Sequence, residues 1–101
     1  MANLLATQPT VIDSGNPYFI HPSENPGSKI VTTILNGDNY HAWARAMEMA
    51  LESKNKIEFV DGTLPKPNIS DQFYPYWKRC NKLVVSWLNQ SVDSSISQSI
   101  L

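Results

Sequence analysis

The chain has 101 residues, of which 42% are hydrophobic and 17% charged, a balance typical of one small globular domain. Eight basic residues stand against nine acidic ones, for a net charge of −1, which argues against a nucleic-acid binder that relies on overall charge. The single cysteine, Cys80, excludes an internal disulfide and a zinc knuckle built from several cysteines.

The N-terminal residues 1–16 are polar and show no hydrophobic periodicity, which predicts a disordered tail. Residues 1–12 lack the basic start and the sustained apolar stretch of a signal peptide. Elsewhere, no apolar run approaches the ~18 residues of a membrane span. We therefore expect a cytoplasmic protein without a membrane partner.

The next segment, residues 17–29, is predicted to be an extended arm because its prolines interrupt the apolar group Tyr18-Phe19-Ile20. Burying these three side chains would contribute roughly 1.5–3 kcal/mol each before the entropic cost of ordering them. Two arrangements are open. The arm packs on the helices of its own chain, or it docks on a neighbouring molecule and makes Tyr18, Phe19 and Ile20 candidate assembly contacts.

The β-branched residues 30–35 favour an extended connector over a short strand, because no second strand is evident to pair with them. After the turn at Gly37, either Asp38 or Asn39 is expected to cap a helix. Apolar spacings of three and four then predict an amphipathic helix over about residues 40–54.

A second amphipathic helix is predicted over about residues 75–90, with Pro75 in the first turn, where its missing amide has no intrahelical partner. The predicted core lies on the apolar stripes of the two helices and comprises Tyr40, Trp43, Met47, Leu51, Trp77, Cys80, Val84, Trp87 and Leu88. Asp93 is expected to cap a third helix that the end of the chain truncates. The predicted fold class is thus all-α: a small helical domain over residues 17–101, incomplete at its C-terminus, with an extended N-terminal arm.

The candidate sites are few. His41 and Cys80 lie on different faces of the two helices, so we expect no catalytic residues, no metal ligands and no cofactor. The cluster Lys78, Arg79 and Lys82 is a candidate for weak RNA contacts, although an ordinary solvated face is the favoured interpretation.

Several motifs together resemble those of a known protein family. They are Asn16-Pro17-Tyr18-Phe19-Ile20-His21-Pro22-Ser23, Leu35-Asn36-Gly37-Asp38-Asn39-Tyr40, Phe59-Val60-Asp61-Gly62-Thr63, Trp77-Lys78-Arg79-Cys80-Asn81 and Ser86-Trp87-Leu88. In this order and spacing the chain resembles the N-terminal region of Gag polyproteins from plant copia-type retrotransposons.

The resemblance implies a non-enzymatic helical module that self-associates, or binds Gag-like proteins, when virus-like particles assemble around the element's RNA. In that family, RNA binds mainly through a downstream Cys/His knuckle, which this chain lacks, so we interpret the chain as a fragment. Two alternatives stay open: an adaptor for protein interactions that a host has retained, and a weak RNA-binding module.

Overall fold

The computed structural model describes residues 12–95. Within that range the chain forms three helices and no strands: α1 (Tyr40–Ser53), α2 (Glu58–Asp61) and α3 (Tyr74–Gln90). The all-α fold class and its two main helices are confirmed. The four-residue α2 was not predicted. Ser94 and Ser95 are helical, but the rest of the predicted third helix lies outside the described residues, as does most of the predicted tail.

The start of α1 differs from the expected cap. Asn39 occupies the N-cap position, yet its side chain makes no capping hydrogen bond. Its Oδ1 accepts from the amide of Asn36 at 3.1 Å, and its Nδ2 donates to the carbonyl of Ile34 at 2.8 Å. The side chain therefore fixes the preceding turn, in which Gly37 has a φ of 99°, a conformation that glycine adopts without steric cost.

The end of α1 is a Schellman motif. Asn55 has a φ of 58°, and its amide donates to Glu52 O at 3.0 Å, while the amide of Lys56 donates to Leu51 O at 2.8 Å. This pair of bonds satisfies carbonyls that the last helical turn leaves without partners. The motif turns the chain sharply and directs Lys56 back towards the domain interior, where it is only 3% exposed.

The hydrophobic core lies between α1, α3 and the segment before α1. Its buried members are Val31, Met47, Leu51, Leu83, Val84 and Trp87. Trp43 and Leu88 are half-buried and pack against this cluster, and Cys80 is fully buried beside it. Burial of these side chains is the main favourable contribution to the fold.

Backbone hydrogen bonds join the segment before α1 to the residues that follow α3. Leu35 and Val92 form an isolated parallel bridge, in which the Leu35 amide donates to Ser91 O at 2.8 Å and the Asp93 amide donates to Leu35 O at 2.9 Å. The indole Nε1 of Trp43 donates to the same Ser91 carbonyl at 3.0 Å. The connector before α1 is therefore attached to the chain just after α3.

Candidate functional site

The N-terminal arm packs on the helices of its own chain. The ring of Tyr18 stacks on Phe73 with centroids 5.8 Å apart and contacts Phe59 at 6.2 Å. Ile20 packs against the core cluster. The aromatic contacts join the arm to α2 and to the residue before α3, and pairs of this kind contribute about 0.5–1.5 kcal/mol beyond their buried area.

Three consecutive residues after α1 hold the arm, and we call Lys54–Lys56 the latch turn. The ammonium of Lys54 pairs with both carboxylate oxygens of Glu24, at 2.9 and 3.1 Å. The side-chain amide of Asn55 donates to Gly15 O at 3.1 Å. The ammonium of Lys56 donates to the carbonyl of Phe19. The Schellman motif thus aims two donors at the arm and a third at Gly15, just before it.

Lys56 is the unusual member of the latch turn, since lysine side chains are rarely buried without a partner. Burial lowers the pKa of its ammonium from the ordinary value of 10.5, and the nearby acidic groups offset this only in part. The hydrogen bond to Phe19 O compensates for some of the lost hydration. The position of the arm and the state of this side chain are therefore coupled.

Helix α3 also binds the arm. The indole Nε1 of Trp87 donates to Asn25 O at 2.9 Å, and the ammonium of Lys54 lies 5.1 Å from the centroid of the Trp87 ring. The thiol of Cys80 donates to Tyr18 O at 3.2 Å. Burial raises the pKa of this thiol above its ordinary value of 9.0, so Cys80 is a packed, protonated side chain rather than a reactive thiolate.

The predicted assembly contacts Tyr18, Phe19 and Ile20 therefore have partners within the chain. Of the two arrangements open from the sequence, the structure places the arm on its own helices. Their side chains are only half-buried, so each keeps exposed surface while the arm stays on the helices. None of the latch-turn residues was a predicted site residue, although an asparagine after a helical stripe is a sequence signal for a left-handed helix end.

Two predicted core residues lie elsewhere. Tyr40 is 58% exposed at the first position of α1. Its ring stands 6.3 Å from Trp43 at the mouth of a groove. Trp77 is half-buried outside the core cluster, between the ring of Tyr74 and the ammonium of Lys66 at 5.6 Å from its centroid.

The predicted RNA contacts Lys78, Arg79 and Lys82 are exposed on α3. The guanidinium of Arg79 lies 5.9 Å from the ring centroid of Tyr76. None of the three forms a salt bridge with another described residue. The structure thus brings the three cations to one exposed surface, as their spacing predicts.

Two of these cations border a depression between the arm and α3, which we call the basic groove. It has a volume of about 370 Å³. Ile20, Pro26 and Leu83 form its apolar floor, while Arg79, Lys82 and Ser86 line its α3 side. Glu24 also lines it, but the ion pair with Lys54 already neutralises that carboxylate. The groove is therefore apolar at its base and positive at its edge.

A second groove of about 340 Å³ lies between α1, α2 and the end of α3. Met47, Leu51 and Leu88 contribute apolar surface to it, and Glu48 and Asp61 add negative charge. Leu88 and Arg79 are nine residues apart on α3, about two and a half turns, so they point to opposite sides of that helix. The two grooves thus lie on different sides of the domain.

The described residues show neither a catalytic pair nor a metal cluster. Cys80 bonds to backbone carbonyls of the arm, whereas His41 is exposed on α1 and His21 is exposed in the arm beside Ser23. Residues 12–95 contain no group of three or more His, Cys, Asp or Glu side chains placed to hold a metal ion. No helix within this range has the length and apolar character to cross a bilayer.

Comparison with protein families gives the observation that decides the resemblance. Residues 21–68 match the family described as the Gag polypeptide of LTR copia-type. The matched segment is similar to copia-type Gag. This segment runs from the middle of the arm through α1 and α2 into the following loop, so the latch turn lies inside it and α3 lies beyond it.

The match over residues 21–68 agrees with the family resemblance drawn from the sequence motifs and supports a retrotransposon Gag-related role. Gag domains are generally structural and non-catalytic. No curated protein and no solved structure matches the chain.

Proposed function

We propose that this chain is a self-association module of a copia-type Gag, which builds the protein shell of the parent element's particle. The observation that carries the proposal is the family match over residues 21–68, which falls on a segment folded into α1, α2 and the latch turn. Shell proteins act by presenting surfaces to further copies of themselves. The two grooves on different sides of the domain are surfaces of that kind.

The experiment is sedimentation velocity of the whole chain over about a hundredfold range of concentration, because self-association shifts the mass distribution by mass action. We expect the weight-average mass to rise with concentration above that of the 11.4 kDa monomer. A mass that stays monomeric at the highest concentration contradicts the proposal. Capture of a single stable cellular partner by such a monomer would favour the adaptor function instead.

A second candidate function is weak RNA binding, favoured by the exposure of Lys78, Arg79 and Lys82 and their lack of acidic partners in the described range. Neutralising three phosphates would give a slope of about −2 for log affinity against log salt on single-stranded RNA. Fluorescence anisotropy with a labelled single strand measures this slope. The triple variant Lys78→Gln/Arg79→Gln/Lys82→Gln should abolish it, and an unchanged slope in that variant argues against this surface.

A further inference from the structure

The loop before α3 displays an apolar side chain on a turn closed by hydrogen bonds. Ile69 is 74% exposed and sits at the second position of the turn Asn68–Asp71, which the Asp71 amide closes by donating to Asn68 O at 2.8 Å. Asn68 Oδ1 also accepts from the amide and the hydroxyl of Ser70, both at 3.1 Å. A single exposed isoleucine is unremarkable on a protein surface, but here the backbone on both sides of it is fixed.

A carboxylate accompanies this side chain. Asp71 is exposed and uses Oδ1 to accept from the amide of Phe73 at 2.7 Å, which holds the carboxylate in place at the start of α3. Asp71 forms no salt bridge with another described residue. The turn Asn68–Asp71, which we call the Ile69 knob, therefore combines one large apolar group with one free negative charge.

The basic groove has the complementary properties. Its floor is apolar, and Arg79 and Lys82 at its edge lack acidic partners within residues 12–95. The Ile69 knob of the same chain does not fill it, since Ile69 is exposed to solvent. Each domain thus carries both a knob and a groove that match in polarity and in charge.

We infer that the Ile69 knob of one copy docks in the basic groove of the next, with Ile69 on the apolar floor and Asp71 facing Arg79 and Lys82. This inference rests on the proposed self-association and names the surfaces that perform it. Such an interface is heterologous, because different surfaces of the two copies meet. Repetition therefore builds rings or open chains rather than a closed two-fold dimer. The fixed turn also reduces the ordering cost of binding.

The first test is a charge exchange followed by sedimentation velocity. Asp71→Arg alone and Arg79→Glu alone should each weaken self-association about tenfold or more, because each places like charges at the interface. An equimolar mixture of the two variants should recover association, since each copy then offers its neighbour an opposite charge. Arg45→Glu is the matched control, as it makes the same charge change at an exposed position of α1 outside the groove, and it should leave association unchanged.

The second test does not depend on how Asp71→Arg affects the start of α3. A chain with Ser70→Cys, which keeps Ile69, is mixed with a chain of different tag length that carries Ser86→Cys, under mild oxidation. We expect a disulfide-linked heterodimer about tenfold more abundant than in a control mixture in which Met49→Cys replaces Ser70→Cys. Met49 is a suitable control position, because it is 67% exposed and lies on α1, away from the knob.

The possible outcomes separate the two proposals. If the unmodified chain is monomeric at every concentration, the proposed function fails and the interface fails with it. If the unmodified chain associates but the charge exchange and the cysteine pair behave like their controls, the interface alone is overturned. If Arg79→Glu abolishes binding of single-stranded RNA but leaves self-association intact, the proposed interface is also overturned and the basic groove is assigned to RNA.

Discussion

A hydrogen bond from the indole of Trp87 helps to hold the arm in place. Trp87 is fully buried, and its Nε1 donates to Asn25 O in an exposed part of the arm. One indole therefore fills the core and also holds a loop that has no secondary structure of its own. The sequence identifies the first role through helical periodicity, but it gives no sign of the second, because the acceptor is a backbone carbonyl.

Trp87→Phe tests the second role. The phenyl ring retains most of the apolar volume but has no donor for Asn25 O, so we expect a loss of about 1–2 kcal/mol in the free energy of unfolding, measured by urea denaturation. Val85→Ala on the same helix is the control: Val85 is 43% exposed, and its truncation should change stability by less than about 0.5 kcal/mol. Equal losses in both variants would contradict the assigned hydrogen bond.

Cys80 predicts a dependence of stability on pH. Burial raises the pKa of its thiol above 9.0 in the folded chain, so the unfolded chain loses this proton first as pH rises. The contribution of the buried thiol is therefore complete below pH 9.0 and is lost as pH rises through the folded value. The unmodified chain should unfold at a higher temperature than Cys80→Ala, and this difference should decrease above pH 9.0. A difference that stays constant would contradict the burial of the thiol.

At the scale of secondary structure, α1 and α3 follow from the sequence, whereas α2 does not. Fourteen and seventeen residues are enough to establish an apolar period of 3.6, but the four residues of α2 are not. Periodicity also identifies which face of a helix is apolar, but not how deeply each residue on that face is buried. Tyr40 was assigned to the core for this reason. Lys56 was missed for a related reason: a lysine after a helix is normally solvated, and only the Schellman geometry shows that it turns inward.

The arm is held by bonds of unequal strength. Lys54 and Glu24 form a partly exposed ion pair, of a kind worth about 0–1 kcal/mol, whereas Lys56 makes a buried charge-assisted bond to Phe19 O, worth about 1.5–3 kcal/mol. Because the arm covers Cys80, release of the arm should expose the thiol to labelling. We expect Lys56→Ala to accelerate labelling by about tenfold or more, and Glu24→Gln by less than about fivefold.

The labelling is followed with a thiol-reactive dye under conditions in which both variants remain folded, as shown by circular dichroism. If the two substitutions accelerate labelling equally, the buried bond of Lys56 is not the stronger attachment. If neither does, the arm does not control access to Cys80.

At the scale of the whole molecule, the arm and the helices share one core and should unfold together. Leu51 is 1% exposed, and Leu51→Ala should cost about 2–5 kcal/mol through lost burial and the remaining cavity. Met49→Ala, at an exposed position of the same helix, should cost little. Tryptophan fluorescence and far-UV circular dichroism should give coincident transitions in both variants. Separate transitions would mean that the arm and the helices are independent units.

The candidate site was only partly accessible from the sequence. The basic cluster on α3 follows from the spacing of Lys78, Arg79 and Lys82, and the structure shows it exposed as expected. The basic groove required the fold, because its floor combines Ile20 and Pro26 of the arm with Leu83 of α3. Residues about sixty positions apart meet there through tertiary packing, which no local pattern specifies.

The hydrogen bonds of the arm join residues that are far apart in the sequence, and this affects how the chain folds during its synthesis. Tyr18 and Asn25 bond to Cys80 and Trp87, each pair 62 residues apart, so the arm leaves the ribosome well before α3 exists. Until then the apolar group Tyr18-Phe19-Ile20 lacks its partner on α3, and closing so long a loop is among the slower steps of folding. The nascent chain must therefore carry an exposed aromatic segment that a chaperone, or another nascent copy, can reach first.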